Sequence, residues 1–332
     1  MKNIQIISLL VYYVFFCSAC NGQKPFGENQ LIKEAIIPMN GVKGRIDHLD
    51  VNLEEKIIYV AALGNNSLEI VDIVKGNVLH SIKGLDEPQG VAYIPQQREI
   101  FVANGGNGDC YFYNAHSFEK TATVHLPSDA DDVRYDSTDK KIYVGYGSGA
   151  IAVIDARTHQ QIADIKLPAH PEGFELDKQL NRLFVNIPDA HKIAVIDVKL
   201  FKLIDQWSTG EFSANFPLAL DIAHHYLIIG YRHPARLVVL NEETGAILSV
   251  ANMVNDVDDI FIDESAGKIF ASGGGGFISI YKWQDQTLQQ VANISTRDGA
   301  RTSLFIPTLD LFILAARANG NKNAELQVYK TK

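Results

Sequence analysis

Short runs of β-branched and aromatic residues recur along the chain at a nearly constant interval. They are Ile58-Tyr59-Val60, Ile100-Phe101-Val102, Ile142-Tyr143-Val144, Leu183-Phe184-Val185, Leu227-Ile228-Ile229, Ile269-Phe270-Ala271 and Phe312-Ile313-Leu314. Successive copies lie roughly 41 to 44 residues apart, the length of a four-stranded repeat unit. A first strand precedes each run, as in Val91-Ala92-Tyr93 and Phe174-Glu175-Leu176, and polar turns such as Asp136-Ser137-Thr138-Asp139-Lys140 join the two. Gly/Asn-rich loops follow (Gly64-Asn65-Asn66; Asn104-Gly105-Gly106-Asn107-Gly108), a composition that lets the backbone reach positive φ. A third strand comes next: Leu68 to Asp72, Ile151 to Asp155, Ile193 to Asp197. Its closing residue (Asp72, Asn114, Asp155, Asp197 or Asn241) predicts an Asx-turn into an outer fourth strand. Beyond the first residues no stretch keeps a helical period.

The last copy supplies three strands only, because Leu326 to Lys330 runs into the C-terminus. Leu31 to Ile37 offers the missing outer strand, and pairing it there removes two exposed sheet edges. The expectation is an all-β chain: a seven-bladed β-propeller of four-stranded antiparallel blades, closed by an N-terminal strand added to the last blade. It forms a single domain over residues 31–332. Phe101-Val102-Ala103-Asn104 and Ile142-Tyr143-Val144-Gly145-Tyr146-Gly147, with Ala152-Val153-Ile154-Asp155, resemble the repeat of the YVTN β-propeller proteins. The resemblance covers nearly all of residues 31–332 and implies the fold. It implies no one activity, because the architecture hosts binders, lyases and lactonases.

The first residues are of another kind. Lys2 precedes the apolar run Ile4 to Phe16, which is followed by Cys17-Ser18-Ala19-Cys20. The run is short for a membrane span and small residues follow it, as in an export signal. Ser18-Ala19-Cys20 resembles a bacterial lipobox, which implies a signal peptide over residues 1–19, lipidation of Cys20 and a short tether over 20–30. Ordinary cleavage after Ala19 is the alternative reading. Asn21-Gly22-Gln23-Lys24 lacks an acidic cluster, as in lipoproteins held on the periplasmic side of the outer membrane. The expectation is an exported monomer that meets the membrane through a lipid anchor only. Of the three cysteines only Cys110 then lies in the domain, where it reads as a small buried hydrophobe.

Thirty Lys and Arg stand against 39 Asp and Glu, a net charge of -9, with no basic run. That argues against a nucleic-acid partner, which needs clustered cations. There is no Gly-x-Ser-x-Gly elbow, haem-attachment motif, His-Glu-x-x-His or dinucleotide fingerprint, so serine catalysis and redox cofactor chemistry are not indicated.

Candidate chemistry gathers where the repeats differ. Aligned at the loop entering each innermost strand, they place one residue per blade at the channel mouth: Asp47, Gln89, Asp131, Glu172, Phe216, Asp258 and Arg301. The next position holds His48, Gly90, Asp132, Gly173, Pro217, Asp259 and Thr302. Carboxylates converging on one axis repel one another unless something intervenes. They pair with Arg45, Arg134 and Arg301, or face a hydrated channel, or hold Ca²⁺ or Mg²⁺ through Asp47, Asp131, Glu172 and Asp258. His48 and His170 stand nearby as imidazole ligands or as hydrogen-bonded loop residues. The loops between second and third strands add Arg232, Arg236 and His191 to the same face. Three functions follow: recognition of a small molecule, glycan or envelope protein, metal-assisted lactonase or lyase chemistry at the channel mouth, or a purely structural role in an assembly.

Overall fold

Residues of the second strand of each repeat are buried on both faces, and this turns seven small sheets into a ring. Side chains alternate across a strand. Tyr143 therefore packs with Phe174 and Leu183 of the following blade, while Ile142 and Val144 pack with Phe101 of the preceding one. The same alternation yields seven apolar clusters among the described residues, one at each junction between neighbouring blades. A strand used on both sides reads in the sequence as an unbroken apolar run. Outer strands such as Asn77–Lys83 cover one side only and stay largely exposed.

The structure is a computed structural model and describes residues 30–284 and 287–331. It contains seven four-stranded sheets, six of them in simple sequence order. Their innermost strands open blades one to seven at Leu49–Asn52, Pro88–Ile94, Ala130–Asp136, Phe174–Asp177, Ser213–Asp221, Val257–Asp263 and Ser303–Ile306. The seventh sheet is completed from the other end of the chain. Leu31–Met39 runs antiparallel to Ala324–Thr331, with Leu31 opposite Thr331 and Met39 opposite Ala324. Leu31, Ile37 and Met39 bury their side chains there. The expected N-terminal closure is therefore formed.

The predicted Asx-turns are also present. Asp72 Oδ1 accepts the N–H groups of Val74 and Lys75 at 2.9 and 2.8 Å, and Asn114 and Asp155 receive equivalent bonds. Among the described residues helical structure is confined to three 3₁₀ turns, Leu63–Asn65, Pro188–Ala190 and Pro307–Leu309. Among the described residues no helix is long and apolar enough to cross a membrane. Cys110 is buried, and burial pushes its thiol well above the usual range, as suits a packing residue. Cys20 and the signal-like segment lie outside the described residues.

At the hub the inner strands approach one another closely. A Cβ on Gly90 would lie 2.1 Å from the Asp131 carbonyl oxygen, and one on Gly173 would lie 2.6 Å from that of Phe216. The Gly173 N–H donates to that Phe216 carbonyl at 3.1 Å. Backbone contact between blades dictates glycine at these two hub positions.

Candidate functional site

The loops entering the inner strands converge around a cavity of about 580 Å³ on the axis. Asp47, Gln89, Asp131, Glu172, Phe216, Asp258 and Arg301 all line it, one from each repeat. His48, Asp132, Asp259 and Arg232 line it as well, together with His170, Asp129, Asp50, Arg134 and Glu175. Among the described residues its wall carries nine carboxylates against four guanidiniums and two imidazoles. Charge balance within the wall is therefore incomplete even with both histidines protonated.

Each acid meets this shortage in its own way. On blade one, Arg45 Nη2 donates to Asp47 Oδ2 at 2.6 Å and reaches Gln89 Oε1 at 3.4 Å. On the far side, Asp258 lies between two guanidiniums, 2.7 Å from Arg232 Nη2 and 3.2 Å from Arg301 Nε. Arg301 Nη1 also donates to Asp256 at 2.7 Å. Arg232 stacks over Phe216, its guanidinium carbon 3.7 Å from the ring centroid, and its Nε donates to the Val257 carbonyl at 2.8 Å. Face-on stacking on an aromatic ring fits a guanidinium and gives Phe216 a positioning role.

Deeper in the channel, Arg134 joins Asp132 at 2.5 Å and Glu175 at 2.9 Å. Asp132 Oδ2 in turn accepts the Phe174 N–H of blade four at 3.3 Å, and Asp259 Oδ2 accepts the Ser303 N–H of blade seven at 2.6 Å. Asp50 does the same for Tyr93 of blade two at 2.6 Å. These three acids latch one inner strand to the next. Asp132 and Asp259, expected as binding residues, are thus largely occupied by the scaffold.

Blades three and four differ from the rest. His170 Nε2 is 3.5 Å from Asp131 Oδ2, while its Nδ1 donates to the Gly147 carbonyl at 2.5 Å. Asp129 Oδ2 lies 3.5 Å from the same Nδ1. Glu172 sits beside this pair, and potential ligand atoms of Asp131, His170 and Glu172 all fall within 4.8 Å of one another. Among the described contacts no guanidinium reaches Asp131 or Glu172, since Arg134 of blade three is taken up by Asp132 and Glu175.

The crowding of acids shows in the titration of the group. Burial disfavours charge on His48, but Asp132, Asp47, Asp131 and Asp259 outweigh it and raise the imidazole to about 9. His170 is likewise raised to about 9, its burial overcome by Asp131 and the Gly147 carbonyl. Burial and the nearby Asp131 push Glu172 up to about 8, and burial with Asp258 pushes Asp259 up to about 7. Near neutrality the channel therefore draws protons onto itself.

The structure corrects one expected site residue. His191 does not line the channel: it ends the Pro188–Ala190 turn in the left-handed conformation at φ 53°, its N–H donating to the Pro188 carbonyl, and its side chain is exposed. Arg236 also lies off the cavity wall, donating to the Ala235 carbonyl at 2.8 Å. The four acids expected to share a cation are dispersed as well, since Asp47 and Asp258 are engaged by arginines while Asp131 and Glu172 are not. The link between His170 and Asp131, 39 positions apart in the chain, has no local signature.

Comparison of the sequence with protein-family models finds no match, and comparison with curated proteins finds none either. Solved structures similar to this chain are propellers. One, described as the crystal structure of the mitotic checkpoint complex, matches with a TM-score of 0.78 at 16% identity over 99% of both chains. Another, the WD40 repeats of RRP9, gives 0.77 at 9% identity over 91% of this chain and 98% of that one. At such identities the likeness establishes the fold alone.

Proposed function

We propose that this chain is a lipid-anchored propeller of the bacterial cell envelope whose channel face recognises a small polar ligand, a glycan or an envelope protein. The carrying observation is the cavity of about 580 Å³, whose wall is divided by charge. Blades three and four present Asp129, Asp131, Glu172 and His170, with no guanidinium on Asp131 or Glu172, whereas blades five to seven present Arg232 and Arg301, backed by Phe216 and paired with Asp258. Its size lies within the range of roughly 300–1,000 Å³ usual for small-molecule sites, and its polar wall suits a charged or hydrogen-bonding group. The YVTN-like repeat and the lipobox-like Ser18-Ala19-Cys20 support the envelope assignment. That a similar ring occurs in a structure of a mitotic checkpoint complex is compatible with a protein partner.

Metal-assisted lactonase or lyase chemistry on Asp47, Asp131, Glu172 and Asp258 receives less support, because arginines hold two of the four acids. The test is binding of solubilised envelope proteins, glycans and polar metabolites to the wild type and to Arg301→Glu and Asp131→Lys. Recognition by this face requires a ligand that the wild type retains and both variants lose. Binding that both reversals leave intact rejects the channel face.

A further inference from the structure

Blades three and six carry nearly the same hub sequence, Asp129-Ala130-Asp131-Asp132-Val133 and Asp256-Val257-Asp258-Asp259-Ile260. The next blade answers them differently. Asp258 faces Arg301 of blade seven, whose Nε approaches to 3.2 Å. The residue aligned with Arg301 in blade four is Glu172, a second acid beside Asp131. One ring position is thus met by a guanidinium of the next blade, and its twin by an imidazole and a second acid.

Three details turn this inequality into a site. His170 directs Nε2 toward Asp131 because its Nδ1 is held by the Gly147 carbonyl. Fixing one ring nitrogen on a backbone carbonyl is the usual way a metal-ligating imidazole is oriented. Glu172 has no hydrogen bond or ion pair from its carboxylate among the described contacts, although it stands on the cavity wall. Finally, the 3.5 Å between His170 Nε2 and Asp131 Oδ2 is close to a tetrahedral edge, about 3.4 Å for bonds of about 2.1 Å.

We propose that Asp131, His170 and Glu172 hold one divalent transition-metal ion of the zinc class at the channel mouth, joining blades three and four as Arg301 joins six and seven. An imidazole among the donors favours zinc or a neighbouring first-row ion over Ca²⁺ or Mg²⁺, which take oxygen donors. Three protein donors leave the remaining coordination to water or to a ligand's carboxylate or hydroxyl group. The inference stands apart from the recognition reading, since it is measured on the protein alone.

Metal-free protein is titrated with Zn²⁺, Co²⁺, Mg²⁺ and Ca²⁺ by calorimetry, with thermal melts in parallel. The expected result is one saturable Zn²⁺ or Co²⁺ equivalent that raises the melting temperature, with Mg²⁺ and Ca²⁺ at least tenfold weaker. His170→Ala and Glu172→Gln should each weaken Zn²⁺ binding at least tenfold, while His191→Ala, at an exposed histidine off the channel, leaves it unchanged. Glu172→Arg, which copies blade seven, should fold, lose the metal response and melt no lower than metal-free wild type. No saturable binding, or binding that survives His170→Ala and Glu172→Gln, overturns the site while leaving the envelope-binding result to stand or fall separately.

Discussion

Asp258 lies 3.2 Å from Arg301 Nε, so the hub acid of blade six is neutralised by the hub residue of blade seven. Guanidiniums placed on the hub acids, Arg45 and Arg134 within their own blades and Arg232 and Arg301 from neighbouring ones, are what allow so many carboxylates to face one axis. Coulomb repulsion would otherwise drive them apart or force their protonation.

Removing Arg301 therefore leaves Asp258 and Asp256 to share Arg232 alone. Both partners are partly solvated, with Arg301 21% and Asp258 18% exposed, so the loss falls short of that for a fully buried pair. Arg301→Gln should destabilise the fold by about 1–3 kcal/mol in chemical denaturation. Asp139→Asn, whose carboxylate meets Lys178 in a turn away from the cavity, should cost less than about 0.5 kcal/mol. Equal losses would deny the hub pair any special weight.

Raising the pH should weaken the fold. The folded-state values of His48 (about 9), Glu172 (about 8) and Asp259 (about 7) all lie above their ordinary ones. A group that binds its proton more tightly when folded stabilises fully below its unfolded value and loses that contribution as pH rises through the folded one. Between about pH 6.5 and 8 Glu172 and the imidazoles of His48 and His170 share the slope, and from about 8 to 9 it belongs mainly to the imidazoles. The melting temperature of metal-free protein should fall across that window, and less steeply in His48→Gln. A flat or rising curve contradicts the charge assignment.

Deleting residues 31–37 should lower the melting temperature sharply. The segment buries Leu31 and Ile37 and completes the ladder of the last blade. Two buried aliphatic side chains alone are worth about 3–6 kcal/mol, and the deletion also exposes a sheet edge. A drop on the order of 10 °C in a calorimetric scan is expected. An unchanged melt would show that the ring does not need this strand.

Gly90→Ala tests the hub packing. Its Cβ would meet the Asp131 carbonyl, and backbone cannot move aside as a flexible side chain can. A loss of about 2–4 kcal/mol in urea unfolding is expected. Tolerance of alanine would mean that the inner strands are not in contact there.

These variants separate what the sequence shows openly from what it hides. Ile142-Tyr143-Val144 and its counterparts reveal the blades because each is buried on both sides, a local property. Asp72 and Asp155 reveal their turns for the same reason, since their acceptors serve residues two and three positions on. Aligning copies also recovers the hub ring correctly. Contacts between blades join residues about forty apart and leave no such trace. Asp132 and Asp259 look like ligands by composition, yet each holds a backbone N–H of the next blade. His170 looks like any loop histidine until the fold sets it against Asp131. His191 ends a 3₁₀ turn in the left-handed conformation and is absent from the cavity wall, which its place in the loop does not announce.

The central claim is that the channel mouth, and not the outer rim, is the surface that binds. A photo-cross-linking amino acid placed at Phe216 in the cell of origin, with Ile204 on an exposed outer strand as control, reads this directly by mass spectrometry of the adducts. The account expects a discrete adduct of ligand, glycan or protein from Phe216 and none from Ile204. Adducts from Ile204 with none from Phe216 would contradict it.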